Sequence, residues 1–217
     1  MKKNLRNILA VALGLMTTVA FAQTWNADSR TRIDMSGDHD KMSTSQRATI
    51  GATWGGSDWG IHVSSDVNYT LSNQAATGEL GMEIYEAYAS TDLMGYASLT
   101  AGKMAINNGS GALMSSNDWG TNRTTWEGMQ FGLNLDMADV TIGYHRSNTG
   151  AADEEDAGNM WLNAGGEFSG WNVNVLYMTD EANEDAATGI DISGEVAGAG
   201  VSASMNTDFD GDEMRVI

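Results

Sequence analysis

The sequence predicts an all-β fold: an antiparallel up-and-down transmembrane β-barrel with a polar lumen and a lipid-facing apolar exterior. Three observations predict it. An export signal opens the chain. The remainder alternates apolar and polar residues with the period of two that an extended strand imposes. The connections between those strands are alternately long and short.

The opening segment, residues 1–22, has a positive start (Lys2, Lys3, Arg6), an apolar run from Ile8 to Phe21, and small residues at Ala20 and Ala22. That is the layout of a secretory signal peptide cut between Ala22 and Gln23. The run is short for a membrane-spanning helix, which needs about 20 residues. No later apolar run is long enough for such a helix, so residues 23–217 are expected to form one β-barrel domain.

Composition narrows the function classes. There is no cysteine, hence no disulfide framework and no thiolate metal site, and no proline, which suits a chain of paired strands. Three of the eleven basic residues lie in the signal, leaving eight against 29 acidic ones, a net charge of −21. Such acidity argues against nucleic acid as a partner. Seven Trp and six Tyr with regular alternation argue against disorder.

About eleven strands can be marked: Arg30–Met35, Gln46–Trp54, Trp59–Thr70, Gly81–Ser90, Ala97–Ile106, Thr125–Leu135, Val140–Arg146, Asn159–Phe168, Trp171–Met178, Thr188–Ser193 and Ala199–Asn206. The third is the clearest. Trp59, Ile61, Val63, Val67 and Tyr69 share one side; His62, Ser64, Asp66, Asn68 and Thr70 share the other. Its length, about twelve residues, suits a tilted crossing, for which about 9–11 suffice. Its apolar side is expected to meet lipid and its polar side water, the reverse of a soluble protein. In the sixth strand Met129, Phe131, Leu133 and Leu135 oppose Gln130, Asn134 and Asp136. Val140, Ile142 and Tyr144 oppose Thr141 and His145, and Trp171, Val173, Val175 and Tyr177 oppose Asn172 and Asn174.

The long connections cover residues 36–45, 71–80, 107–124, 147–158 and 179–189; the short ones cover 55–58, 91–96, 136–139, 169–170 and 194–198. Short periplasmic turns and long extracellular loops are the asymmetry of outer-membrane barrels, and from a periplasmic start every long connection falls outside. The long ones carry acid, as in "ADEEDAG" and "TDEANEDAA". They read as solvated loops or as sites for divalent cations, free or bridging lipopolysaccharide. "NTDFDGDEMRVI" (206–217) begins like a calcium loop, with Asp208, Asp210 and Asp212 as candidate ligands. A calcium loop needs a bidentate carboxylate at its twelfth position, and that position is Ile217.

Catalysis finds no foothold. His39, His62 and His145 lie in no zinc-ligand spacing, and a hydrolase built on His145 beside Arg146 and Ser147 lacks an identifiable orienting third group. No enzyme activity and no cofactor are expected.

Several short motifs resemble the alginate-export-type outer-membrane porins over residues 30–146. They are Gln46-Arg47, Glu86-Ala87-Tyr88, Gly102-Lys103-Met104, Trp119, and the run from Arg123 to Gly128. Lys103 stands where the family carries arginine, and Glu127 where it carries aspartate; the first change loses bidentate guanidinium geometry. The resemblance implies a monomeric barrel of about eighteen strands, with an arginine-rich pore for anionic polysaccharide. Eleven strands ending in "DFDGDEMRVI", an acidic loop start rather than a strand, fit a partial barrel from a longer porin, truncated at its C-terminus.

The expected lumenal residues are Arg47, His62, Asp66, Asn68, Glu86, Lys103, Arg123, Glu127, Gln130 and Asn134. Arg47 shares a side with Thr49 and Thr53, and pairing of these basic groups with Asp66, Glu86 or Glu127 would brace the barrel or select solutes. The expected lipid-facing residues are Trp59, Ile61, Val63, Val67, Tyr69, Phe131 and Leu133. The reading is an outer-membrane pore of a Gram-negative bacterium for small hydrophilic solutes, in contact with outer-membrane lipid. The rival readings are a non-conducting barrel or adhesin working through acidic loops, and a secreted soluble β-protein.

Overall fold

A computed structural model describes residues 22–35, 43–70, 81–120, 123–147, 157–180 and 185–216. Twelve strands form one sheet in strict chain order. They are β1 (Ala22–Asp34), β2 (Ser43–Gly55), β3 (Trp59–Thr70), β4 (Gly81–Leu93), β5 (Ala97–Met104), β6 (Trp126–Leu135), β7 (Ala138–Ser147), β8 (Ala157–Phe168), β9 (Trp171–Asp180), β10 (Ala186–Val196), β11 (Ala199–Thr207) and β12 (Glu213–Val216). All pairings are antiparallel, and each strand contacts only its neighbours in sequence.

Two elements differ most from the sequence reading. β1 begins eight residues before Arg30, because Ala22–Ser29 pair residue by residue with Gly55–Ala48 of β2. The stretch read as an acidic loop start holds a strand: Glu213–Val216 pair with Thr207–Ser204 of β11. The described residues therefore hold twelve strands. Among the described residues β1 and β12 do not pair, and the sheet is open there.

Tight turns make the short connections. Met94-Gly95, Ser169-Gly170 and Ala197-Gly198 all have positive φ, from 53° to 83°. Two successive left-handed residues make a type I′ turn, whose twist matches that of the flanking strands. Glycine in second place removes the Cβ penalty at one of the two positions.

The sheet must curl. In a flat sheet nine strand spacings, about 43 Å, would separate β2 from β11. Yet the β5–β6 connection touches both. Arg47 of β2 donates to the Gly120 carbonyl at 3.0 Å, and Asn206 of β11 donates to Ser110 Oγ at 3.5 Å. That segment is itself folded tight: the Asn108 N–H donates to the Met114 carbonyl at 3.0 Å, and the Ser116 N–H to Asn107 Oδ1 at 2.7 Å. It cannot span a flat sheet, so the strands wrap around it.

Cross-strand partners share a face, so the register sorts the two sides. One inner row runs Thr24, Thr53, His62, Tyr88, Gly102, Gly128, His145, Asn159 and Asp180 across nine strands. The outer face carries the large apolar side chains, with Trp25 and Ile50 more than half exposed (55% and 58%). Asp66, on the inner face, is 0% exposed. Polar groups are covered and apolar groups are open, the inversion the alternation predicts.

Inner-row glycines make room for large inner side chains. A Cβ on Gly143 would lie 2.0 Å from the Trp161 ring. Trp161, 2% exposed, packs edge-on against Trp126 at 6.2 Å between centroids. Gly143→Ala is therefore expected to displace Trp161 and to destabilise the fold by about 1–3 kcal/mol, the usual range for overpacking. A lower urea midpoint with altered tryptophan emission would show it; an unchanged midpoint would mean that the ring moves aside freely.

Candidate functional site

The site is the inner face together with the segment folded over it. Residues 105–120 leave the end of β5 and turn inward rather than away. Gly109 (φ 57°) and Gly111 (φ 76°) allow the bend. At Gly109 a Cβ would fall 1.9 Å from Asp191 Oδ2, so only glycine admits this approach to the β10 wall. Across the segment, Asn107 Oδ1 accepts from the Ser116 backbone and from the Ser115 and Ser116 hydroxyls. This one side chain holds both limbs of the segment together.

A charged network fastens the segment to β1–β4. Arg123 Nε donates to Asp66 Oδ2 at 2.9 Å, and its NH2 donates to Asp66 Oδ1 and to Thr49 Oγ1, the latter at 3.0 Å. Thr49 Oγ1 donates in turn to Asp66 Oδ1 at 2.6 Å. A two-pronged guanidinium–carboxylate contact fixes direction as well as distance. Arg123 also lies over the Tyr85 ring, its Cζ 3.1 Å from the centroid, a cation–π contact. Arg30 donates to the Asp118 carbonyl, and Arg47, 4% exposed, to that of Gly120. The carboxylates of Asp28 and Asp118 stand 3.9 Å from Arg47 and 3.7 Å from Arg123.

Tyr85 joins through an irregularity in β4. The register slips between Ser64 and Ser65, which face Glu86 and Ile84, and Tyr85 is the extra residue. A bulge re-aims side chains, so Tyr85 and Glu86 both serve the inner side. Glu86 stands 3.4 Å from His62 Nε2, accepts from Ser64 Oγ and from the Ala105 N–H, and so grips the base of the segment. His62 Nδ1 bonds Thr53 Oγ1 at 2.7 Å, and its ring stacks on Tyr88.

The opposite side of the interior is apolar at one end and hollow at the other. Met104, Ile106, Met114, Trp161, Leu176, Met178 and Ala187 form one cluster, with Met114 at 0% exposure. Towards the short turns lies a cavity of about 820 Å³. Its lining includes Asn172, Asn174, Asp191, Ser193, Ser204 and Asn206, with the segment's Gly109 and Ser110.

Of the residues expected to line a lumen, Arg47, His62, Asp66, Glu86 and Arg123 come together in the network. Asn68 lies opposite Arg47, Gln130 opposite Gly143, and Asn134 opposite Asp139, all on inner rows. Lys103 and Glu127 do not belong there. They pair with each other at 3.3 Å in the row Val63, Ala87, Lys103, Glu127, which is an outer row. The reason is parity: Glu127 has the phase of Met129 and Phe131. Trp59, Ile61, Val63, Val67, Tyr69, Phe131 and Leu133 occupy the outer face by the same registers.

The acidic turn after β11 is braced from within. Asp208 Oδ1 accepts from the Asp210 and Asp212 N–H groups, an internal turn brace. Among the described residues no cluster of three His, Cys, Asp or Glu could hold an ion. His145 is held by the Glu127 N–H, which donates to its Nδ1 at 2.9 Å, and by a T-shaped contact with Trp126. His39, the other long acidic stretches and residues 1–21, most of the expected signal, lie outside the described residues.

The chain is similar in structure to two triple mutants of the porin of Rh. blastica, at 12% identity and TM-scores of 0.34 and 0.35. Each likeness covers 89% of this chain and 97% of the porin chain. No family model and no curated protein matches the chain, so the alginate-export resemblance rests on its short motifs alone.

Proposed function

We propose that the chain is an outer-membrane β-barrel of a Gram-negative bacterium that passes small hydrophilic solutes by passive diffusion, narrowed by the segment of residues 105–120. The observation that carries this is the inversion of faces on a curled meander: charged and amide groups inside, tryptophan, isoleucine and valine outside. Unsatisfied backbone edges are not tolerated in hydrocarbon, so in the working form the free edges of β1 and β12 are paired. Export by a signal cut between Ala22 and Gln23 belongs to this reading. So do contact of the outer face with lipid and lipopolysaccharide, and divalent cations at the acidic loops. No reaction is assigned. The motif resemblance adds anionic saccharides to the solutes to be tried.

One substitution separates a membrane face from a wet surface. Val63→Arg places a charge in the outer row. In a bilayer this is expected to cost about 2–4 kcal/mol near the midplane, read as a lower unfolding midpoint in lipid vesicles. On a water-facing surface it would be worth within about 0.5 kcal/mol, and that result would remove the membrane reading.

A second reading has its own observation. The cluster around Met114 and Trp161 fills part of the interior with apolar side chains, as a structural, non-conducting barrel or an adhesin scaffold would allow. Planar-bilayer recordings decide between them: discrete conductance steps support the pore, and persistent silence supports the scaffold.

A further inference from the structure

We infer that this pore favours cations, and that the choice is made on the β7–β11 wall rather than at the arginines. The inference rests on the pore reading above and opposes the anionic solutes that the motif resemblance implies.

Three interior guanidinium groups, those of Arg30, Arg47 and Arg123, are already engaged. Arg123 is held by the fully buried Asp66, with Asp118 beside it. Arg47 faces Asp28 and donates to the segment's backbone, as Arg30 does. Their charge is committed to holding the segment on the wall, and a passing anion meets the accompanying carboxylates as well.

The cavity on the other side has the opposite character. Asp139, Glu167 and Asp191 line it, and no lysine, arginine or histidine does. Asp191 Oδ1 is buried in the wall without a hydrogen-bond partner. Asp92 and Asp139 line a second pocket at the short-turn end, again without a basic group. Of the other basic groups on the described strands, Lys103 is paired with Glu127 on the outer face, Arg146 has the outward phase of Tyr144, and Arg215 lies opposite the outward Met205; Arg32 has the inward phase of Arg30, but at the long-connection end of β1, away from the β7–β11 wall. Walls of low dielectric lined by one sign of charge focus the field and raise the local concentration of the opposite ion. Hydroxyls of Ser193 and Ser202 beside the carboxylates offer acceptors to a partly dehydrated cation. The chemistry suits a monovalent metal ion and a small organic ammonium alike.

The test is the reversal potential of the full chain, refolded from detergent into planar bilayers under a tenfold KCl gradient. The expected K⁺ to Cl⁻ permeability ratio is on the order of threefold or more at 0.1 M, fading at 1 M as the screening length falls from about 10 to about 3 Å. The triple variant Asp139→Asn, Glu167→Gln, Asp191→Asn should bring the ratio at least twofold nearer to unity on the same estimate. Glu167 is exposed, so Glu167→Gln alone keeps the fold and should move the ratio the same way. Conductance with a ratio at or below one, or a ratio the variants leave unchanged, overturns the inference and leaves the pore standing. A bilayer without steps removes the pore reading and this inference with it.

Discussion

Asp66→Ala is expected to destabilise the protein by about 3–5 kcal/mol, the loss seen when one member of a buried ion pair is removed. The pair is Asp66, fully buried, with Arg123. Removing the carboxylate leaves the guanidinium with only the more distant Asp118 and the Tyr85 ring, leaves Thr49 Oγ1 without its acceptor, and leaves Arg47 beside a like charge that has lost its close partner. Much of the loss is therefore the penalty of an orphaned charge rather than the worth of the bond. Asp66→Leu combined with Arg123→Met should recover most of it, because apolar replacements of similar volume are often neutral or stabilising. Urea midpoints in detergent give both values. A double variant as unstable as the single one would mean that the network orders the segment rather than merely neutralising itself. Recordings add a second readout, since a segment released from β2 and β3 should make the open level noisier.

Exchanging residues 108–118 for a short Gly-Ser bridge is expected to raise single-channel conductance on the order of twofold, because conduction follows the open cross-section. The exchange removes Met114 from the apolar cluster and Ser110 and Asp118 from their contacts with β11, Arg30 and Arg123. Stability should fall as well, so the shift in gel mobility on heating must be checked alongside. Equal conductance in the two proteins, with the fold intact, would show that solutes never pass the segment.

Much of this architecture is legible in the sequence. The clean alternation in β3, β6 and β9 gives both the strands and their faces, since a period of two leaves no freedom once one face is assigned. The alternation of long and short connections gives the meander. Three features escape, each for a physical reason. Four residues, Glu213–Val216, are too few for a period to be seen, and only pairing with β11 makes them a strand. Lys103 and Glu127 escape because their motif suggests a lumenal pair while the phase of their strands points outward; in "WEGMQF" the phase puts Glu127 with Met129. Trp161, Leu176 and Met178 lie inward although apolar, and their signal was present. "MWL" and "LYM" are runs of three apolar residues that no two-faced strand of pure polarity can carry. Tyr85 could not be placed from phase at all, because the bulge that turns it inward appears only in the register.

The strict neighbour-to-neighbour order of the strands bears on how the molecule is made. Hairpins can be added one at a time, each closing a short stretch of chain. The contacts of the inward segment are of another kind. Arg30 and Asp118 are 88 residues apart, Thr49 and Arg123 are 74, and Ser110 and Asn206 are 96. Distant contacts form only after the entropy of closing long loops has been met. The meander can therefore assemble before its interior is furnished, and the docking of residues 105–120 becomes a late event. Substitutions at Asp66 or Gly109 should then chiefly speed unfolding, while changes in the hairpin turns should act on the rate of assembly.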